Sequence, residues 1–195
     1  MATEGRTEGE EGPELELLGE ATNEPVYVVD ADPGWPARFE ALRARLEARL
    51  GPSFRIDHVG STAVAGLAAK PIIDIQVSVP DLADEHAYRT AIESIGVVLR
   101  AREPGHRFFR TPPETERRLH VHVCESGGDW ERRHLLFRDY LRAHPERAAE
   151  YERLKRRRAE ELRDDRIAYT DAKDDFVAET LTRAERWAAE TGWRP

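Results

Sequence analysis

The chain has one cysteine in 195 residues, Cys124. No disulfide can form within it, and a reducing cytoplasm is the expected setting. No run comes near the ~20 apolar residues of a membrane span, and the acidic start does not read as a secretory signal. An excess of positive charge is also lacking. Residues 1–24 hold eight Glu against one Arg, a net of −7 out of the chain's −8, so the remainder is nearly neutral. A nucleic-acid binder would want a basic body, so no nucleic-acid partner is expected. With few large apolar residues, the 1–24 segment reads as a disordered acidic tail.

What remains suits one domain, residues 25–190, long enough to bury a core unaided. The division expected is a sheet-containing part over 25–126 and an all-helical part over 129–190, parted at Gly127-Gly128. Val26 to Val29 reads as a short strand. Phe39, Leu42, Leu46 and Leu50 recur at helical spacing after Trp35-Pro36, and Gly51-Pro52 ends that helix. Phe54 to Val59 reads as a strand, Leu82 to Ile95 as a helix, and Val97 to Arg102 and Arg107 to Arg110 as strands about a turn at Glu103-Pro104-Gly105-His106. Helices are expected from Asp129 to about His144, from Pro145 to about Leu162, and from a cap at Thr170 onward.

The centre of the chain is His58 to Val79, HVGSTAVAGLAAKPIIDIQVSV. Gly60 lets a ligand approach the backbone, and Ser61 or Thr62 can cap a short helix whose free N–H groups suit an anion. In the strand that follows, Ile73, Ile75, Val77 and Val79 share one face. Asp74, Gln76 and Ser78 share the other. A carboxylate within such an apolar strand needs a partner or a metal. Further on, RRLHVHVC places His120 and His122 on one face, where they can ligate a metal or serve as base and phosphate ligand.

These residues resemble the nucleotidyltransferase superfamily signature, a Gly-Ser turn followed by an Asp-bearing strand. More closely, the chain resembles the GrpB family, whose pattern H-[IV]-G-S-T-A-V-P-G-L-x-A-K-P-x-[IL]-D-[IL] it matches except at Ala65, where Pro is usual. The likeness runs from about Val26 to Ala184 and includes Phe137 to Arg142 and the Tyr151/Lys155 and Tyr169/Lys173 pairs. It implies an α/β (α+β) fold, a nucleotidyltransferase-like mixed sheet with packed C-terminal helices. It also implies an NTP as substrate, a divalent metal (Mg²⁺ or Mn²⁺, with Zn²⁺ as a further choice) and a small-molecule acceptor. The candidate residues are then Asp74, His120 and His122 for metal and catalysis. Gly60, Ser61, Thr62, Lys70, Arg138, Lys155, Tyr169 and Lys173 are the candidates for the nucleotide phosphates. The superfamily's second acid is missing, because Gln76 stands two residues after Asp74. That substitution favours a catalytically reduced nucleotide- or anion-binding module as the alternative, and some bacteria fuse a GrpB domain to a dephospho-CoA kinase. A His/Asp metal-dependent hydrolase is a third reading.

Overall fold

The computed structural model describes residues 15–18, 24–112, 115–116 and 118–195. One mixed sheet of six strands, ordered β1-β4-β5-β6-β3-β2, organises the chain. In sequence the strands are β1 (Glu16–Leu17), β2 (Arg55–Val59), β3 (Ile73–Val79), β4 (Val98–Glu103), β5 (His106–Arg110) and β6 (Leu119–Glu125). Only β3 and β6 run parallel; the other neighbours are antiparallel. The helices are α1 (Trp35–Leu50), α2 (Arg89–Glu93), α3 (Asp129–Ala143), α4 (Pro145–Glu161), α5 (Arg166–Asp171) and α6 (Asp174–Thr191). None is long and apolar enough to cross a membrane.

Strand alternation gives the sheet two unlike faces. Ile73, Ile75, Val77 and Val79 of β3 join Leu119, Val121 and Val123 of β6 and Phe109 of β5 in the main core, under Trp35, Phe39, Leu46 and Leu50 of α1 and Ile92 of α2. The opposite face is polar. Register sets Asp74 beside His120, Gln76 beside His122, and Phe108 beside His122. Helix α3 lies over it: Arg138 reaches Asp57 on β2, while Trp130 and His134 stack near the histidines. Helix α6 packs outside α3 through Leu136, Tyr140, Ala184 and Ala188.

Several elements differ from the reading of the sequence. Val26 to Val29 forms no strand. Val29 alone bridges Ala69, and Val26 instead packs on Ala159 and Tyr169 of the helical half. The helix expected over residues 82–95 is broken into a turn at Glu85–Ala87 and the five-residue α2. Glu85 is drawn to Arg102 and Arg107 on the sheet, and the Tyr88 hydroxyl donates back to Leu82 O at 2.7 Å. Asp165, not Thr170, supplies a cap, accepting from Ala168 N at 3.0 Å, and a separate α6 follows. Of the acidic segment expected to be a free tail, Glu16–Leu17 pairs with β4, where Arg102 binds Glu16 at 2.8 Å. An edge strand offers unpaired backbone groups, which that pairing satisfies. The rest of residues 1–24, apart from 15–18 and Glu24, lies outside the described residues.

Candidate functional site

The site is built where β2 turns back into β3. Gly60 has φ +69 and ψ −170, a backbone region closed to side-chain-bearing residues. A Cβ there would strike Asp74 Oδ2 and stand 3.1 Å from its Cβ and Cγ, so the backbone of the turn runs directly against the carboxylate. Ser61–Ala63 then form a single 3-10 turn rather than an α-helix start. Thr62 does not cap it. Its hydroxyl donates to Ile72 O at 3.1 Å and so accepts from His58 Nε2 at 3.0 Å, closing the loop on itself. Arg142 of α3 grips Ala63 O with two N–H groups, at 2.9 and 3.0 Å, and Lys155 of α4 donates to Ala68 O.

Asp74 is part-buried and meets both histidines of β6. Its Oδ1 lies 2.9 Å from His120 Nδ1 and 3.7 Å from His122 Nε2. Burial alone would raise its pKa, but the contact with His120 works against that and the carboxyl is held well below the usual range. Burial pushes His120 down, and its Nδ1 faces the Asp74 carboxylate across that 2.9 Å contact. Its Nε2 is buried and has no hydrogen-bond partner among the described residues.

On the other side of Asp74 is a cavity of about 80 Å³ lined by Ser61, Lys70, Asp74, His120, Lys155 and Tyr169, with Thr62 and Ile72 in its wall. The Lys70 ammonium lies 5.2 Å from the centre of the Tyr169 ring, and Lys173 lies 4.5 Å from it. Lys155 sits 4.7 Å over Tyr151. Burial pushes Lys155 down to about 7 and both Lys70 and Lys173 to about 8. Neighbouring cations act in the same direction on Lys70. None of the three forms an ion pair with a carboxylate among the described residues. Lys155 is buried and Lys70 and Lys173 are part-buried, and amines so placed without an ion-pair partner gain when something anionic joins them.

The structure thus brings together Gly60, Ser61, Lys70, Asp74, His120, His122, Lys155, Tyr169 and Lys173. It leaves one expected residue, Arg138, elsewhere. Arg138 binds Asp139 at 2.7 and 3.0 Å, Asp57 at 3.3 Å and His58 O at 3.1 Å, which spends its guanidinium beneath the sheet face. His58, at the start of the central segment, pairs in register with Ile75. It therefore faces the apolar side, stacked on Phe39 at 4.7 Å, and burial lowers it to about 4.

Other residues that the sequence did not single out line the same polar face. His106 opens β5, where a turn was expected, and its Nε2 is 3.0 Å from His122 Nδ1. Trp130 of α3 stacks between His106, at 4.3 Å, and His134, at 3.5 Å. Tyr151, which the resemblance had paired with Lys155, packs on Phe176 at 5.0 Å and against Ser61. The alternation His106, Phe108, Arg110 was the available signal for β5. The contributions of Trp130 and His134 from α3 had none.

One carboxylate oxygen and two imidazole nitrogens, all within 4.8 Å of one another, form the single group of metal-capable donors among the described residues. Ligands of one tetrahedral ion at about 2.1 Å from the metal lie about 3.4 Å apart, so this set fits one divalent cation. It does not fit a pair of Mg²⁺ ions bridged by two acids. Gln76 is wholly buried, and neither of its amide atoms has a hydrogen-bond partner among the described residues.

The family model described as "GrpB protein" matches residues 25–183. A UPF0157 protein of Streptomyces coelicolor is 41% identical over 170 residues, which is 87% of this chain and 90% of that protein. The crystal structure of the conserved protein GrpB from Enterococcus faecalis superposes with a TM-score of 0.74 at 32% identity, covering 83% of this chain and 99% of that one. A protein of Mycolicibacterium paratuberculosis named dephospho-CoA kinase is 34% identical over 198 residues, 88% of this chain but 49% of that protein. The chain belongs to the GrpB family.

Proposed function

We propose that this protein binds a nucleotide through its phosphates and acts as a nucleotidyltransferase-like enzyme on a small molecule. The observation that carries this reading is the set of lysines without ion-pair partners beside Asp74, Lys155 buried and Lys70 and Lys173 part-buried. Lys70 and Lys155 line a cavity the size of one phosphoryl group, and Lys173 shares the Tyr169 ring with Lys70. A phosphate there gains charge-assisted hydrogen bonds from ammonium groups whose desolvation is already built into the fold. Gly60 lets the backbone pass against Asp74, so the phosphate cavity and the carboxylate share one wall.

Asp74, His120 and His122 would hold a divalent cation, which supplies neutralisation of phosphate charge. The chain's own groups do the rest. The three lysines orient the phosphate and spread its charge. His120 lines the cavity as well, so a cation held by it would stand beside the bound phosphate.

A second reading is favoured by Gln76: an anion-binding module without transfer. A superfamily enzyme would want an acid at that position, and here the residue is neutral and buried. The half-length match to a protein named dephospho-CoA kinase supports an assisting role of this kind.

The test is a thermal-shift and calorimetric screen of the purified chain against ATP, GTP, CTP and UTP, with and without Mg²⁺, Mn²⁺ and Zn²⁺. A ligand at ~100 times its dissociation constant adds about 2.7 kcal/mol to stability. One nucleotide should shift the midpoint in a metal-dependent way, and Lys155→Met should abolish the shift. Asp74→Asn should remove turnover with little change in the midpoint. Binding without any metal dependence or turnover selects the module. Binding that survives Lys155→Met together with Lys70→Met removes the cavity from the reading.

A further inference from the structure

The cation-binding part of that reading leaves open which ion is taken and what orders its ligands. The hydrogen-bond chain leading to Asp74 from the surface answers both. Glu103, half-exposed at the end of β4, lies 3.4 Å from His106 Nδ1. His106 Nε2 lies 3.0 Å from His122 Nδ1, and His122 Nε2 lies 3.7 Å from Asp74 Oδ1. Glu103 and His106 are paired across the two-residue turn Pro104-Gly105, with Gly105 at φ +72, so hairpin geometry sets their separation.

Proton positions along this chain follow from what each group can do. The Glu103 carboxylate only accepts, so His106 Nδ1 carries a hydrogen. In the tautomer that Glu103 selects, His106 Nε2 is a bare acceptor, and the ring is held in place by stacking on Trp130. His122 must then donate from Nδ1, which leaves His122 Nε2 bare. That lone pair faces a carboxylate oxygen across 3.7 Å with no proton between them. Two acceptors facing each other repel, and a cation between them converts the repulsion into two ligand bonds. His120 brings a second imidazole to the same oxygen, 2.9 Å away.

We propose that His106, backed by Glu103, is the positioning residue that orders His122 to ligate through Nε2, and that the ion taken is one borderline transition cation of the Zn²⁺, Mn²⁺, Co²⁺ class rather than Mg²⁺. Two imidazole nitrogens and one carboxylate oxygen form a donor set that a hard, oxygen-seeking ion uses poorly. A histidine ligand whose other nitrogen is hydrogen-bonded is fixed in tautomer and ring orientation, and loss of such a partner commonly costs 10–100-fold in metal affinity. The inference rests on the reading that Asp74, His120 and His122 hold a cation.

The experiment is calorimetric titration of the chelator-stripped full chain with Zn²⁺, Mn²⁺, Co²⁺ and Mg²⁺, paired with long-range ¹H–¹⁵N spectra of the histidine rings. Wild type should bind a transition ion at least ~100-fold more tightly than Mg²⁺. The His122 ring should show its hydrogen on Nδ1. His106→Leu should weaken transition-ion binding ~10–100-fold and move the His122 hydrogen to Nε2. His106→Gln, which keeps an acceptor oxygen near the Nε2 position, should restore most of the affinity. Glu103→Leu should produce a smaller loss in the same direction. If wild type binds the ion but His106→Leu binds it equally well, the positioning role is overturned while the metal reading stands. If wild type prefers Mg²⁺, the ion class is overturned. If it binds none of the four ions, the metal reading fails and the inference with it. Should His106→Leu not fold, a wild-type spectrum with the His122 hydrogen on Nε2 overturns the proposal by itself.

Discussion

Asp74 occupies the space that a side chain on residue 60 would need. A Cβ there would meet Oδ2 and come within 3.1 Å of two further atoms of the carboxylate side chain, at a backbone φ of +69. Gly60→Ala should therefore cost about 1–3 kcal/mol in stability and also displace Asp74. Urea unfolding would read the first effect and nucleotide binding the second. An alanine variant with native stability and native binding would show that the turn can move aside at no cost.

Gln76 is wholly buried with both amide atoms unpartnered among the described residues, beside Asp57 and His122 in register. An unpaired buried amide is destabilising, so Gln76→Leu should raise stability, by about 1 kcal/mol. A loss of more than ~2 kcal/mol in denaturant unfolding would mean that the amide has partners, such as buried water or a ligand, that the leucine removes.

Arg138 ties α3 to β2 through Asp57 and to the start of the loop through His58 O. Arg138→Met would remove one of the two arginines on each of Asp57 and Asp139, leaving Arg55 and Arg142, and should cost about 1–3 kcal/mol. Nucleotide affinity of the folded fraction should be unchanged, because the guanidinium does not line the lysine cavity. A selective loss of affinity at native stability would return Arg138 to the phosphate site.

Lys155 is 3% exposed, and its amine titrates at about 7 in the folded chain against the ordinary 10.5. Between those values the unfolded chain binds more protons than the folded one, so stability rises with pH across that window. Below about pH 7 the amine is charged in both states and this contribution is flat. Lys70 and Lys173, lowered to about 8, have the same sign over a narrower window. Unfolding free energies measured from pH 6 to 10 should climb in wild type and climb less steeply in Lys155→Met. Equal slopes would mean that Lys155 titrates normally. Phosphate binding favours the charged amine, so affinity should fall over the same window as pH rises.

Legibility of the fold followed the range of the interactions concerned. The amphipathic α1, the strands β2, β3, β5 and β6, and the paired helices after Gly128 all stand within a residue or two of where spacing put them, because period and punctuation are local. Where a side chain was captured by a distant element, local reading failed. Glu85 and Tyr88 break the expected helix over 82–95 in favour of Arg102, Arg107 and Leu82, and Val26 leaves strand pairing for the α4–α5 side of the molecule.

In the site, the sequence by itself determined which residues stand on which face of β3 and β6, because alternation in a strand needs no partner to define it. Asp74, His120 and His122 were bound to share a face once their strands were neighbours. Only the tertiary structure decided that those strands are neighbours, in a register that sets Asp74 against His120. It also decided that His58 points to the opposite side and that α4 and α5 carry Lys155 and Tyr169 over the turn after β2. Strand order and helix docking are settled by burial summed across the whole core, and no single segment carries that sum.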